Sequence, residues 1–266
     1  MHEVGEVLLL RDEGQYDSRM TTTRVAARVR WGVIAYLGYL AVFYGVWIAN
    51  GIDYNRIGEN EDTLLKWYVM PLAAGAVVII IFVSAYGWWK PSLFDTGKRL
   101  PKWVWIIPAL MALVAAINLL LGDYSSTTPT MWLYLVVGSI LVGFNEELVT
   151  RGQLIVALRS RYGELGVWFV STLLFALLHL PNTLFGTGPF GVIQVLFTFL
   201  VGSTLYLVRR VSGTLIFAMV LHGFWDFSTF ASNSGLGSLG PVIGIAAVIV
   251  AIRLTRRESR AAIPIR

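Results

Sequence analysis

The chain has 266 residues, 56% hydrophobic and 14% charged, with a mean hydropathy of +0.67 and a net charge of +5. Soluble domains carry about 25% charged residues, so a soluble globular fold is excluded, and the length leaves no room for a large soluble domain beside a membrane part. The lack of cysteine excludes disulfides, thiolate metal ligands and a cysteine nucleophile, and no basic surface domain is present to support a nucleic-acid role.

Residues 1–30 are polar and charged and are expected to form a cytoplasmic tail rather than a signal peptide or a span. Arg24, Arg28 and Arg30 form its basic flank. Apolar runs then predict eight spans, at residues 31–50, 67–87, 103–121, 131–158, 167–180, 190–208, 213–231 and 240–253. Proline and glycine punctuate the loops, at Pro91, Pro101, Pro129, Pro181, Pro189 and the Gly-Ser stretch from Ser232 to Gly240. The fifth span is short and places His179 near its outer end. Either it begins earlier, near Gly163, or the segment Pro181 to Pro189 dips back into the protein.

The charges agree with that count. With the N-terminus inside, 18 of the 21 Lys and Arg fall on one side, in residues 1–30, 90–102, 159–161, 209–210 and 253–266. The opposite loops hold only Arg56 and Lys66, and Arg151 lies within a span. Cytoplasmic loops carry such an excess of basic residues. The predicted fold is therefore an all-α, polytopic transmembrane helix bundle of about eight spans with both termini cytoplasmic. The basic C-terminal tail is expected to rest on anionic lipid. Arginine-rich, lysine-poor usage points toward a prokaryotic cytoplasmic membrane. By this reading residues 1–30 are the tail, 31–121 three accessory spans, 122–231 a catalytic core of spans 4 to 7, and 232–266 the last span and basic tail.

Ionisable residues inside the spans are few: Glu146, Glu147, Arg151, His179, His222 and Asp226. Charge within a bilayer is costly, so such residues mark function or paired structure. Glu147 and Arg151 are spaced i, i+4 and share a helix face, which predicts an ion pair. Glu146 lies about 100° round the helix and is left free to face a cavity. His222 and Asp226 are again i, i+4. A free carboxylate and two imidazoles can activate water, protonate a leaving amine and polarise a carbonyl. Glu146, His179 and His222 are equally a ligand set for catalytic zinc with one open position, so no required cofactor and Zn2+ both stand. Ser171 is two helical turns before His179 and gives a weak signal for a nucleophilic serine.

The pattern Glu146-Glu147-x-x-x-Arg151, then Phe175-x-x-x-His179, then His222-x-x-x-Asp226 resembles the three motifs of the CAAX-prenyl-protease-like, bacteriocin-processing (CPBP, or Abi) intramembrane proteases, across residues 130–230. The resemblance implies that Glu146 activates water with His179, and that His222 and Asp226 complete the site. It also implies a peptide-bond hydrolase whose partner is a membrane-embedded or lipidated protein or peptide. Prenyl proteases of the family usually carry Asn where this chain has Asp226, and an ionised Asp cannot donate to an oxyanion. That departure leaves open whether the substrate is prenylated. A non-enzymatic bacteriocin-immunity or membrane scaffold protein and a proton-coupled transporter are the alternatives. No internal repeat or paired broken helix favours the transporter. Oligomeric state is not legible.

Overall fold

A bilayer leaves no water for backbone N–H and C=O groups, so apolar runs close their hydrogen bonds internally as helices. The computed structural model describes residues 23–232 and 234–261, and among them there is no strand. The expected tail therefore lies outside the described residues over 1–22, as do the last five residues of the chain. Eight apolar helices follow one another: α1 Val29–Ala49, α2 Glu61–Tyr86, α3 Lys102–Leu120 and α4 Pro129–Leu158, then α5 Glu164–Leu177, α6 Phe190–Ser212, α7 Ile216–Ala231 and α8 Gly240–Ala261. Seven of these segments are long and apolar enough to cross a membrane. The 16-residue α7 reaches only about 24 Å at 1.5 Å per residue.

The helix ends have local causes. Asn60 and Thr63 form a reciprocal capping box that starts α2. Thr128 caps α4 ahead of Pro129. Gly87 and Gly213, at φ 70° and 77°, terminate α2 and α6 in the left-handed region. Two corrections to the predicted bounds follow. The helix α2 begins six residues early, because its capping box carries the polar residues Glu61, Asp62 and Lys66 into the helix. Arg209 and Arg210 are not in a loop but inside α6, both buried.

Those two arginines stay buried because they are paired. Asp95, in the segment between α2 and α3, sits 2.9 Å from Arg159, 3.4 Å from Arg209 and 3.5 Å from Arg210. Arg210 also meets Glu164 at 2.7 Å and Glu258 at 2.9 Å. The cluster clamps that segment to the ends of α4, α5, α6 and α8. Burial alone would raise the Asp95 pKa, but Arg159 and Arg209 outweigh it and hold the carboxyl below the usual aspartate range.

Close crossing of α4 and α7 positions the rest. A Cβ on Gly143 would lie 2.2 Å from the Met219 carbonyl oxygen, and one on Gly223 would lie 2.7 Å from that of Ser139. Small residues let two membrane helices approach backbone to backbone, and here the approach falls one turn before Glu147 and beside His222.

Candidate active site

The glutamate pair ends the first α-helical stretch of α4, which resumes at Leu154. From Leu148 to Gln153 the helix widens into a π-turn, a local irregularity that often accompanies function. Thr150 Oγ1 donates back to the Glu146 carbonyl at 2.5 Å. Arg151 Nη1 lies 3.0 Å from Glu147 Oε1, and both side chains are wholly buried. This is the pair that the i, i+4 spacing predicts. Arg151 also donates to the Gly202 carbonyl at 3.0 Å and stacks its guanidinium 3.7 Å over the Phe175 ring. A Cβ at Gly202 would meet Arg151 Nη2 at 2.6 Å and Phe175 Cδ1 at 2.7 Å, so glycine makes that stack possible.

Glu147 Oε1 has a second partner, His222 Nδ1 at 2.9 Å. A carboxylate paired with arginine can only accept, so Nδ1 carries the proton and Nε2 is turned the other way. His222 Nε2 stands 3.9 Å from Glu146 Oε2 and 3.9 Å from Asp226 Oδ1. The hydrogen bond that orients His222 therefore runs from its Nδ1–H to Glu147. Asp226 is beyond hydrogen-bond distance of the ring.

His179 sits where α5 gives way to a 3-10 turn over Leu180–Leu184. Its backbone N–H bonds to Ala176 rather than to Phe175. That shift frees the Phe175 carbonyl, which takes His179 Nδ1 at 3.1 Å. A carbonyl can only accept, so this imidazole also keeps its proton on Nδ1 and leaves the Nε2 lone pair free. The Phe175 ring lies edge-on to both imidazoles, at 5.3 Å from His179 and 5.5 Å from His222. Both alternatives raised for the fifth span hold in part: the helix begins at Glu164, and the Leu180–Leu184 turn folds against the site.

Glu146, His179 and Asp226 line one cavity of about 70 Å3. Its other walls are largely aromatic and come from α1, α2 and the segment joining them: Phe43, Tyr44, Trp47, Tyr54, Trp67 and Tyr68. A second cavity of about 300 Å3 shares His179 and Asp226 and adds His222, Trp225, Phe197 and Thr198. The two imidazoles and two carboxylates therefore stand where the cavities meet. The first two spans supply walls of the site although they hold no ionisable residue in their interiors. Sequence reasoning missed Tyr54, Asn182 and Gln194, which join in one hydrogen-bonded chain at the cavity wall. Neutral polar residues beside prolines and turns gave it no signal. Ser171 lies apart: it is buried and bonds the Trp168 carbonyl at 3.3 Å, and it lines neither cavity.

Donor geometry bears on zinc. Two ligands of a tetrahedral zinc with bonds near 2.1 Å lie about 3.4 Å apart, nearer than the 3.9 Å that separates His222 Nε2 from each carboxylate. Among the described residues no three of His, Asp and Glu are arranged to hold one ion. The expected ligand set of Glu146, His179 and His222 does not fit a metal as placed.

Residues 128–228 match the family described as type II CAAX prenyl endopeptidase, Rce1-like. The matched segment runs from the cap of α4 through Ser228 in α7 and contains Glu146, Glu147, Arg151, His179, His222 and Asp226. No curated protein matches the chain.

Proposed function

We propose, for a multi-pass membrane protein whose residues 128–228 match the Rce1-like CAAX endopeptidase family, that the chain is an intramembrane endopeptidase using a glutamate-activated water. One observation carries the reading. Glu146 Oε2 is buried without a hydrogen-bond partner among the described residues, on a cavity shared with His179 and Asp226, and 3.9 Å from His222 Nε2. Burying a carboxylate unpaired is expensive, and a site that needs a base facing its water supplies the reason.

The proposed steps follow from the proton positions. Glu146 takes one proton of the water, and the water oxygen forms a bond to the scissile carbonyl carbon. The His179 Nε2 lone pair accepts the water's other O–H and orients it. Held by Glu147 at Nδ1 and faced by the carboxylates of Glu146 and Asp226 at 3.9 Å from Nε2, His222 acts in this proposal as the imidazolium, and its Nε2 proton meets the oxyanion while Glu147 holds the ring from behind. Glu146 then passes its proton to the leaving nitrogen as the C–N bond breaks. An acid and an amine leave. Asp226 supports His222 electrostatically and does not touch the oxyanion. No step passes through a metal.

The substrate class we propose is a membrane-associated protein or lipidated peptide, since the aromatic cavity suits an apolar chain. The orientation we propose has the N-terminus inside, from the arginine distribution, in a prokaryotic cytoplasmic membrane. Residues 122–231 act as the catalytic core and the first three spans as accessory helices, two of which wall the cavity.

The test uses vesicles holding the full chain and two reporters, a farnesylated CAAX-form peptide and an unprenylated single-span peptide. Wild type is expected to cleave at least one. Glu146→Gln and His179→Ala are expected to cleave neither at more than about a hundredth of the wild-type rate. Full activity in either variant overturns the mechanism. A wild type that cleaves neither reporter, with variants that lose folded protein in step with any other activity, favours a scaffold.

A further inference from the structure

Of the buried polar atoms that lack a partner among the described residues, two belong to residues lining the first cavity. One is Glu146 Oε2. The other is Asn182 Oδ1, on a residue only 2% exposed.

Everything else about Asn182 is held. Its backbone N–H bonds the His179 carbonyl at 3.1 Å. Its amide nitrogen donates to Gln194 Oε1 at 2.9 Å, and Gln194 Nε2 donates to the Tyr54 hydroxyl at 2.9 Å. Tyr54 is anchored in turn, with its backbone N–H on the Phe185 carbonyl at 2.6 Å. Asn55 Nδ2 bonds the Gly186 carbonyl at 2.6 Å. The chain of amides has a direction. Each nitrogen is used, and the unused end is the acceptor Oδ1, three residues from His179. A staple between the α1–α2 connection and the segment after α5 would need only the nitrogen side. It gives no reason to leave a buried acceptor bare at the wall of a cavity.

We propose that Asn182 Oδ1 is a substrate-binding group that accepts a backbone N–H of the bound peptide beside the scissile bond. The inference rests on the endopeptidase reading above and adds its substrate's conformation. An N–H within a helix is already bonded to a carbonyl four residues back. A substrate N–H free to meet Asn182 therefore belongs to an unwound stretch. Outside a protein cavity such a stretch does not occur in a bilayer. Asn182 compensates one lost backbone bond and holds the unwound segment against Glu146 and His179.

The experiment is a double-mutant cycle in which one partner is the peptide. Each amide flanking the scissile bond of the cleaved reporter is replaced in turn by an ester, which deletes one N–H donor. Wild type and Asn182→Ala are compared by kcat/KM per folded molecule. In wild type, one ester position is expected to lower kcat/KM about tenfold, the worth of one neutral hydrogen bond. Asn182→Ala should show a similar drop with the all-amide reporter and less than a twofold further loss with that ester. Asn182→Leu, close in volume and without an acceptor, repeats the measurement if the alanine variant folds poorly. Additive losses at every position, or wild-type kcat/KM in both variants, overturn this proposal alone. A wild-type chain that cleaves no reporter overturns it together with the endopeptidase reading. Failure of Glu146→Gln to lose activity overturns the mechanism while leaving the ester cycle readable.

Discussion

Replacing each of the two adjacent glutamates by glutamine separates their jobs. Glu147 Oε1 takes a hydrogen bond from Arg151 at 3.0 Å and another from His222 at 2.9 Å, and it is wholly buried. Glu147→Gln removes the charge opposite a buried guanidinium. Breaking a buried ion pair from one side costs about 3–5 kcal/mol, a large part of a typical total stability of about 5–15 kcal/mol. Glu146 Oε2 has no such bond among the described residues, so Glu146→Gln relieves an unpaired charge and should leave stability unchanged or raised. Activity reverses the order. Glu146→Gln should lose about 10²–10⁴-fold in kcat per folded molecule, the usual worth of a positioned general base. Glu147→Gln should lose less per folded molecule, because the glutamine amide can still bond His222 in the micelle-folded fraction. Unfolding by heat in detergent micelles, read beside reporter cleavage on the same preparations, measures both quantities. A Glu146→Gln protein as destabilised as Glu147→Gln, or a Glu147→Gln protein of wild-type stability, refutes the division of roles.

Three further outcomes are expected. Gly202→Ala places a Cβ 2.6 Å from Arg151 Nη2 and 2.7 Å from Phe175 Cδ1; overpacking of this kind costs about 1–3 kcal/mol, whereas a helix with room would gain from alanine, so the sign of the change in Tm decides it. Asp95→Asn leaves Arg159, Arg209 and Arg210 facing one another and should cost about 3–5 kcal/mol at neutral pH. Because the folded Asp95 pKa is lowered, its contribution is full above the ordinary value of about 3.9 and is lost as pH falls through the folded value; acid titration of Tm should show that loss in wild type and not in the variant. Purified protein should hold less than one metal ion per chain and keep cleaving in strong chelator, and inhibition reversed by added zinc would overturn the metal-free mechanism.

The spans were legible because a bilayer demands long apolar runs and tolerates little else. Their ends were less so, for a physical reason. Glu61, Asp62 and Lys66 read as loop by hydropathy, yet a capping box draws them into α2. Arg209 and Arg210 read as a flank, yet Asp95, Glu164 and Glu258 let them sit buried in α6. Within the site, spacing exposed the pair Glu147–Arg151 because that contact is one helical turn long. It could not expose the bond from Glu147 to His222, which joins residues 75 apart in sequence. Nor could it find the proton position of His179, which depends on a switch from α-helical to 3-10 bonding at that residue.

The same contact explains why two consecutive glutamates serve one imidazole. Neighbours on a helix differ by about 100°, so both can reach a single ring only if that ring lies very near the helix and between their directions. Here α7 does lie that near, because Gly143 and Gly223 carry no Cβ and the backbones touch at the level of the ring. Glu147 then meets Nδ1 at 2.9 Å, and Glu146 faces Nε2 at 3.9 Å across the cavity side. The acid that fixes the histidine and the acid that faces the water are thus set by helix phase and by two missing methyl groups. A side chain at either glycine would separate α4 from α7, and His222 would lose both glutamates at once.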